Sequence, residues 1–297
     1  MNERDVYLND EIDLKEIFDV LWAAKMLIIQ ITAFFAVASV TYSLLLTNYY
    51  KSESLLIARN ASESQGLSQY SGLAAMAGIN LPSSGEDRAA QTIELIKSRK
   101  FIKHLLEFED VLPSIMAAKK YNHASGKLSF YKDIYDAKER SWIKKPTYLQ
   151  AHKHFRKMLN ISQDTATGFI TIEIEHISPI FAKEFLELII NEANVLLRNK
   201  DMEESKQGLE YLTSELSKTS FVEIQESINA LIEAQLEKQM MTQINEDYIL
   251  IEIEPPFIPE EKSKPSRAII CILGTMLGGI LSLMIVLVRH YYFSLDN

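Results

Sequence analysis

Apolar and polar positions alternate along this chain on three different scales, and each scale predicts a different element. Residues 26–46 (MLIIQITAFFAVASVTYSLLL) and 268–288 (AIICILGTMLGGILSLMIVLV) are apolar runs with no charged residue. About 20 such residues carry a helix across roughly 30 Å of hydrocarbon, so both read as membrane spans. Two spans put residues 1–25 and 289–297 on one side and residues 47–267 on the other. A two-residue period marks strands: residues 49–59 alternate, Ile170, Ile172 and Ile174 share one face, and Ile249, Ile251 and Ile253 share another. Three strands from distant parts of the chain predict a mixed sheet, close to the bilayer because the first follows one span and the third precedes the other.

Helical spacing supplies the remainder. Residues 1–25 carry Ile12, Leu14, Ile17, Phe18, Leu21 and Trp22 among Asp10, Glu11, Asp13, Glu16 and Asp19, which predicts a short interfacial helix with Trp22 at headgroup depth. Residues 60–87, rich in Ser, Gly and Ala, read as a long irregular connection. Helices are expected at 88–107, on Ile93, Ile96, Phe101 and Leu105, and again near 148–159, while residues 111–145 show no assignable pattern. The dominant soluble element starts at Ser178-Pro179, an N-cap followed by proline at the first helical position. Its stripe of Phe181, Phe185, Leu188, Ile189, Ala193 and Leu196, continued by Leu209, Leu212 and Leu216, predicts a helix to about Thr219, roughly 60 Å long. A second helix over 221–245, on Ile224, Ile228, Leu231 and Ile232, returns to the third strand. The Phe181 to Leu196 stripe serves either the core or contact between copies of the chain, because one chain cannot cover so long a protruding helix.

Composition narrows the function more than the fold. A net charge of −9 argues against a nucleic-acid partner, for which a basic surface is expected. The lone cysteine, Cys271, lies inside the second span, which suits an oxidising compartment for the loop. The first span reads as an uncleaved anchor, since an acidic segment precedes it and no small-x-small cleavage site follows. Positive charge does not orient the spans: Lys25 and Arg289 flank one side, and Lys51, Arg59, Lys262, Lys264 and Arg267 the other.

No phosphate loop, dinucleotide fingerprint, zinc-protease motif or nucleophile elbow occurs, so no catalytic, cofactor-binding or metal-binding residue is assigned. His152 and His154 stand two apart on an expected helix and would point to different faces. Glu173, Glu175 and His176 read as the solvent face of their strand. Ahead of the second span, Pro255, Pro256, Pro259 and Pro265 lack amide donors and enforce an extended strap that ends at Arg267. Within the span, Gly274 and Gly278 are four apart with Gly279 adjacent, the spacing that lets two transmembrane backbones approach closely.

Together, the acidic IDLKEIFDVLW before the first span, the Y-x-S-x-x-L strand start at Tyr50, IELIKSRKFI, ISPIFAKEFLELIINEAN and the P-x-x-x-x-x-P-x-R strap resemble the Wzz chain length determinants, polysaccharide co-polymerases of the Gram-negative inner membrane. The likeness is strong at both ends and extends to the middle only in layout. The strap departs from the family pattern in reading Lys264-Pro265-Ser266-Arg267. The resemblance implies an α+β membrane protein with cytoplasmic termini and two transmembrane helices flanking a periplasmic domain, which holds a small mixed sheet and a long helix pointing away from the membrane. It implies a non-enzymatic regulator of surface polysaccharide length, O-antigen in particular, working as a homo-oligomeric ring with the inner-membrane polymerase and the growing lipid-linked glycan, without a cofactor. A capsule or enterobacterial-common-antigen regulator is the nearest alternative, and a two-span periplasmic ligand sensor is the alternative of another class.

Overall fold

The computed structural model describes residues 14–59, 85–244 and 247–294. Ile12, with Asp10, Glu11 and Asp13 of the N-terminal stretch, and most of the expected connection at 60–87 lie outside the described residues. In chain order the elements are α1 (Leu14–Ala23), α2 (Lys25–Leu45), β1 (Tyr50–Ala58), α3 (Gly85–Lys97), α4 (Arg99–Leu105), α5 (Val111–Met116), β2 (Ala118–Asn122), β3 (Lys127–Phe130), β4 (Tyr135–Asp136), β5 (Ser141–Trp142), α6 (Tyr148–Met158), β6 (Leu159–Gln163), β7 (Phe169–His176), α7 (Pro179–Lys218), α8 (Val222–Ile244), β8 (Leu250–Glu254) and α9 (Arg267–Ser294). The fold is α+β and divides into two compact units, Met1–Asn48 with Ser263–Asn297, and Tyr49–Lys262.

The first unit is helical. Both α2 and the Arg267–Tyr292 part of α9 are long and apolar enough to cross a membrane, and the two helices pack on each other. Helix α9 continues past Val288 to Ser294, six residues beyond the apolar run, with no proline or glycine between them to stop it. On α1, Trp22 is largely exposed, stacks on Phe18 with ring centroids 6.0 Å apart, and carries the Lys25 ammonium 4.6 Å from its ring centroid.

The second unit is built on a four-stranded sheet in the order β6-β7-β1-β8. Every pairing in it is antiparallel, which corrects the expectation of a mixed sheet. Strand direction follows from how the helical excursion closes: α7 leaves β7 and α8 comes back, so β8 runs alongside β1 in the opposite sense. The sheet also holds a strand that the sequence pattern did not reveal, β6, joined to β7 by a tight hairpin. There the Asp164 carboxylate accepts the amides of Ala166 and Thr167, which holds it below its ordinary pKa, and Gly168 takes φ +75°. The stretch left without a pattern, 111–145, contains α5 and two small hairpins, β2–β3 and β4–β5, whose strands are too short to show a period.

One face of the sheet carries the core. Ile170, Ile172 and Ile174 of β7 and Leu56 of β1 are fully buried beneath Ile96, Phe101, Ile102 and Leu105 of α3 and α4, Phe155 of α6, and Phe185, Leu186 and Ile189 of α7. Each such side chain contributes about 1.5–3 kcal/mol. The expected single helix over 88–107 is two helices, because Ser98 leaves helical geometry and its hydroxyl caps α4 by accepting the Phe101 amide at 3.1 Å. Ile249, Ile251 and Ile253, expected to share one face, do not share one environment: Ile249, just ahead of β8, is buried. Leu250, paired with Ala58, enters the core, whereas Ile251 opposes Ile57 on the outer face and Ile253 is half exposed. The register is dictated by β1, since a one-residue slip exchanges the two faces of a strand.

The 40 residues of α7 serve two purposes in succession. From Pro179 to Asn194 the helix lies on the sheet, and beyond it pairs with α8 as an antiparallel hairpin. The seam of the hairpin is Asp201, Ser205, Gly208 and Leu212 against Ile228, Leu231, Gln235, Lys238 and Thr242, with Gln235 lying over Gly208. So the flank expected to need copies of the chain is covered in part by the chain's own α8.

Candidate functional site

Three of the sequence-selected glycines separate into two roles in the first unit. A Cβ built on Gly274 would overlap Ser39 Cβ of α2, and one on Gly278 would lie 2.5 Å from Phe35 Cβ. The absence of a side chain at both positions therefore brings α9 onto α2 of the same chain. Gly279 has open space at that position and takes no part in the contact. Buried hydroxyls line the same helices, with Ser282 giving its proton to the Gly279 carbonyl at 2.7 Å and Ser43 almost fully covered. At the start of α9, Arg267 donates to the Asn48 side-chain oxygen at 3.0 Å, joining the first turn of one span to the end of the other.

In the second unit the strap runs on from β8. Pro255 and Pro256 cannot donate to a ladder, so β8 stops at Glu254 and side chains of β1 take over. Ser54 donates to the Glu254 carbonyl at 2.7 Å and Ser52 to that of Phe257 at 2.8 Å, and both serines are essentially buried. Pro256 and Pro259 are buried, Pro255 is exposed and Pro265 is half-buried.

The α7 stripe faces the core. Phe185 and Ile189 are buried in it, with Phe181, Leu188 and Leu196 packed against it. An aromatic chain runs from Phe155 through Phe185 and Phe181 to His176, with neighbouring centroids 5.9, 5.1 and 4.5 Å apart. His176 thus does not share the solvent face of Glu173 and Glu175: a period of two puts it with Ile170, Ile172 and Ile174. Its Nε2 donates to the Ser114 carbonyl at 3.0 Å and its Nδ1 accepts the Ser178 amide at 3.1 Å, which ties the cap of α7 to α5. Burial lowers its pKa to about 4, against the opposing pull of the two backbone hydrogen bonds. On the outer face Glu173 meets Lys51 at 2.8 Å and Asn160 at 2.9 Å. Burial alone would raise its carboxyl, but these partners hold it below the ordinary value.

Two polar centres carried no signal in the sequence. Asn194, buried in α7, accepts the amides of Ile249 and Leu250 and donates to the Leu250 carbonyl at 3.0, 2.8 and 3.0 Å, acting as a side-chain substitute for a neighbouring strand at the start of β8. Two turns further along the same helical surface, Asp201 collects Arg88 of α3 at 2.9 Å, Lys238 of α8 at 3.1 Å and the Tyr248 hydroxyl at 2.6 Å. Burial would raise the Asp201 carboxyl, and the hydroxyl and two cations outweigh it and lower it. The Tyr248 hydroxyl is raised, first by burial and then by this carboxylate. Only the spacing Asp201, Ser205, Gly208 could have signalled a polar helix seam.

His152 bonds the Lys97 carbonyl at 3.0 Å, and among the described residues no group of His, Cys, Asp and Glu could hold a metal ion. Among known proteins, the family described as chain length determinant protein, Wzz, matches residues 10–107. Of solved structures, a full-length bacterial polysaccharide co-polymerase aligns with 95% of this chain and 99% of its own at 13% identity and a TM-score of 0.47. A fragment of the co-polymerase WzzB from Salmonella Typhimurium aligns with 73% of this chain and 100% of its own, at 13% identity and a TM-score of 0.31. No curated protein matches the chain.

Proposed function

We propose that this chain, whose residues 10–107 match the Wzz chain length determinant family, belongs to that family and regulates the length of a surface polysaccharide, O-antigen in particular, without catalysing a reaction itself. The family match is the observation that carries the reading, and the two apolar helices of the first unit support an inner-membrane anchor. In this reading residues 47–267 are periplasmic, both termini are cytoplasmic, and copies of the chain assemble into a ring that engages the polymerase and biases release of the growing lipid-linked glycan. The packing of α9 on α2 through Gly274 and Gly278 joins the spans, and the strap hands the periplasmic unit on to the second of them.

Gel profiles of surface glycans from a deletion strain, with and without this gene restored, test the proposal. A modal length that returns with the gene supports it, and the band that shifts tells O-antigen from capsule or common antigen. An unchanged ladder refutes it.

A further inference from the structure

A groove of about 940 Å³ opens between α3–α4 and the α7–α8 pair in the second unit, and its charges do not cancel. Each carboxylate on its walls already has a basic neighbour. Asp201 has Arg88 and Lys238, Glu204 has Lys238 at 3.5 Å and Lys200 at 3.8 Å, Glu94 has Lys97 at 3.4 Å, and Glu107 has His104 at 3.8 Å. Lys100 and Lys103 line the same groove and, among the described residues, make no ion pair. They stand three apart on α4, so both ammonium groups lie on one helix face. In a chain of net charge −9, a concave lining with five Lys and Arg side chains against four carboxylates is a local reversal of sign.

We propose that this groove binds an acidic oligosaccharide, with Lys100 and Lys103 receiving carboxylate groups of successive sugar units. The volume is at the upper end of that of ordinary ligand sites and admits several rings. Its floor, Leu95, Leu196 and Leu197, is apolar and suits the C–H faces of sugars. The paired charges of the walls, together with the neutral Gln91 amide, offer both donors and acceptors to hydroxyls. An acidic peptide would satisfy the lysines as well; the saccharide is favoured because the inference rests on the proposed role in polysaccharide length.

The test is fluorescence anisotropy of labelled tetragalacturonate with the full-length protein in detergent. Binding is expected, weakening as salt rises, and the Lys100→Glu/Lys103→Glu variant should bind roughly tenfold or more weakly, with Lys100→Arg/Lys103→Arg close to the original. Lys120→Glu/Lys127→Glu, the same charge change on the β2–β3 hairpin, should bind normally. Unlabelled maltotetraose and tetraglutamate should not compete. Absence of binding, equal loss in both glutamate variants, or competition by maltotetraose overturns the proposal, and equal competition by tetraglutamate overturns it in favour of an acidic peptide. Gel profiling separates the two levels: a chain that restores modal length yet does not bind tetragalacturonate refutes the groove alone, and one that binds without restoring length refutes the regulatory reading alone.

Discussion

Acidification should loosen the second unit through one buried ring. His176 holds its proton on Nε2, facing the Ser114 carbonyl, and a second proton must go onto Nδ1, which accepts the Ser178 amide. Protonation therefore sets two donors against each other at the cap of α7, beside Phe181. The ring titrates at about 4 when folded against its ordinary 6.5. A group depressed on folding gives stability that is complete above the unfolded pKa and lost as pH falls toward the folded one, so the window runs from 6.5 down to about 4. Between about pH 7.5 and 4.5 the loss amounts to about 2.5 kcal/mol, or roughly 5–10 °C in melting temperature for a unit of this size. Circular-dichroism melts of the detergent-solubilised protein at those two pH values, beside His176→Gln, measure it. The carboxylates do not imitate the effect: Asp201 and Glu173 are lowered and matter only in stronger acid, and Glu252, raised by burial and then by Asp247 and Glu187, becomes more comfortable as pH falls. His176→Gln should start less stable and lose little more on acidification. If it loses as much as the original protein over this window, His176 is not the group that titrates.

Further outcomes follow from the packing. Replacing Asn194 by Leu strands two amides and a carbonyl at the start of β8 and should cost roughly 2–5 kcal/mol in thermal unfolding, with a melting temperature unchanged from the original refuting its role. Phe185→Asp or Ile189→Asp buries a charge in the core and should abolish folding or reduce the protein to traces in membranes, whereas normal levels of both would show that the stripe is not a packing face. Gly274→Leu and Gly278→Leu should insert normally yet shift or abolish modal glycan length by forcing α9 away from α2, with a milder effect from Leu281→Ala; unaltered glycan profiles from both leucine variants would confine regulation to the other unit. A periplasm-active reporter should be active when fused after Asn122 and silent after Asn297, and the reverse pattern would overturn the topology.

Whatever depends on near neighbours in the chain was decided by the sequence alone. The two spans, the start of α7 at Ser178-Pro179 and its run of 40 residues, the strands β1 and β7, and the end of β8 at Pro255 all follow from the periodicity or backbone restriction of adjacent residues. Tertiary structure decided what depends on partners distant in sequence. The sheet is antiparallel because α8 returns alongside α7, and nothing in the alternation of a strand records its direction. A buried polar residue is also spelled like an exposed one: Asn194 and Asp201 became structural centres only when the β8 amides, Arg88 and Lys238 were brought to them. Ser98 could equally have continued a helix, and capped one because Phe101, Ile102 and Leu105 had to turn into the core. The groove is of the same kind, since Lys100 and Lys103 read as an ordinary solvated helix face until α7 supplies the opposite wall.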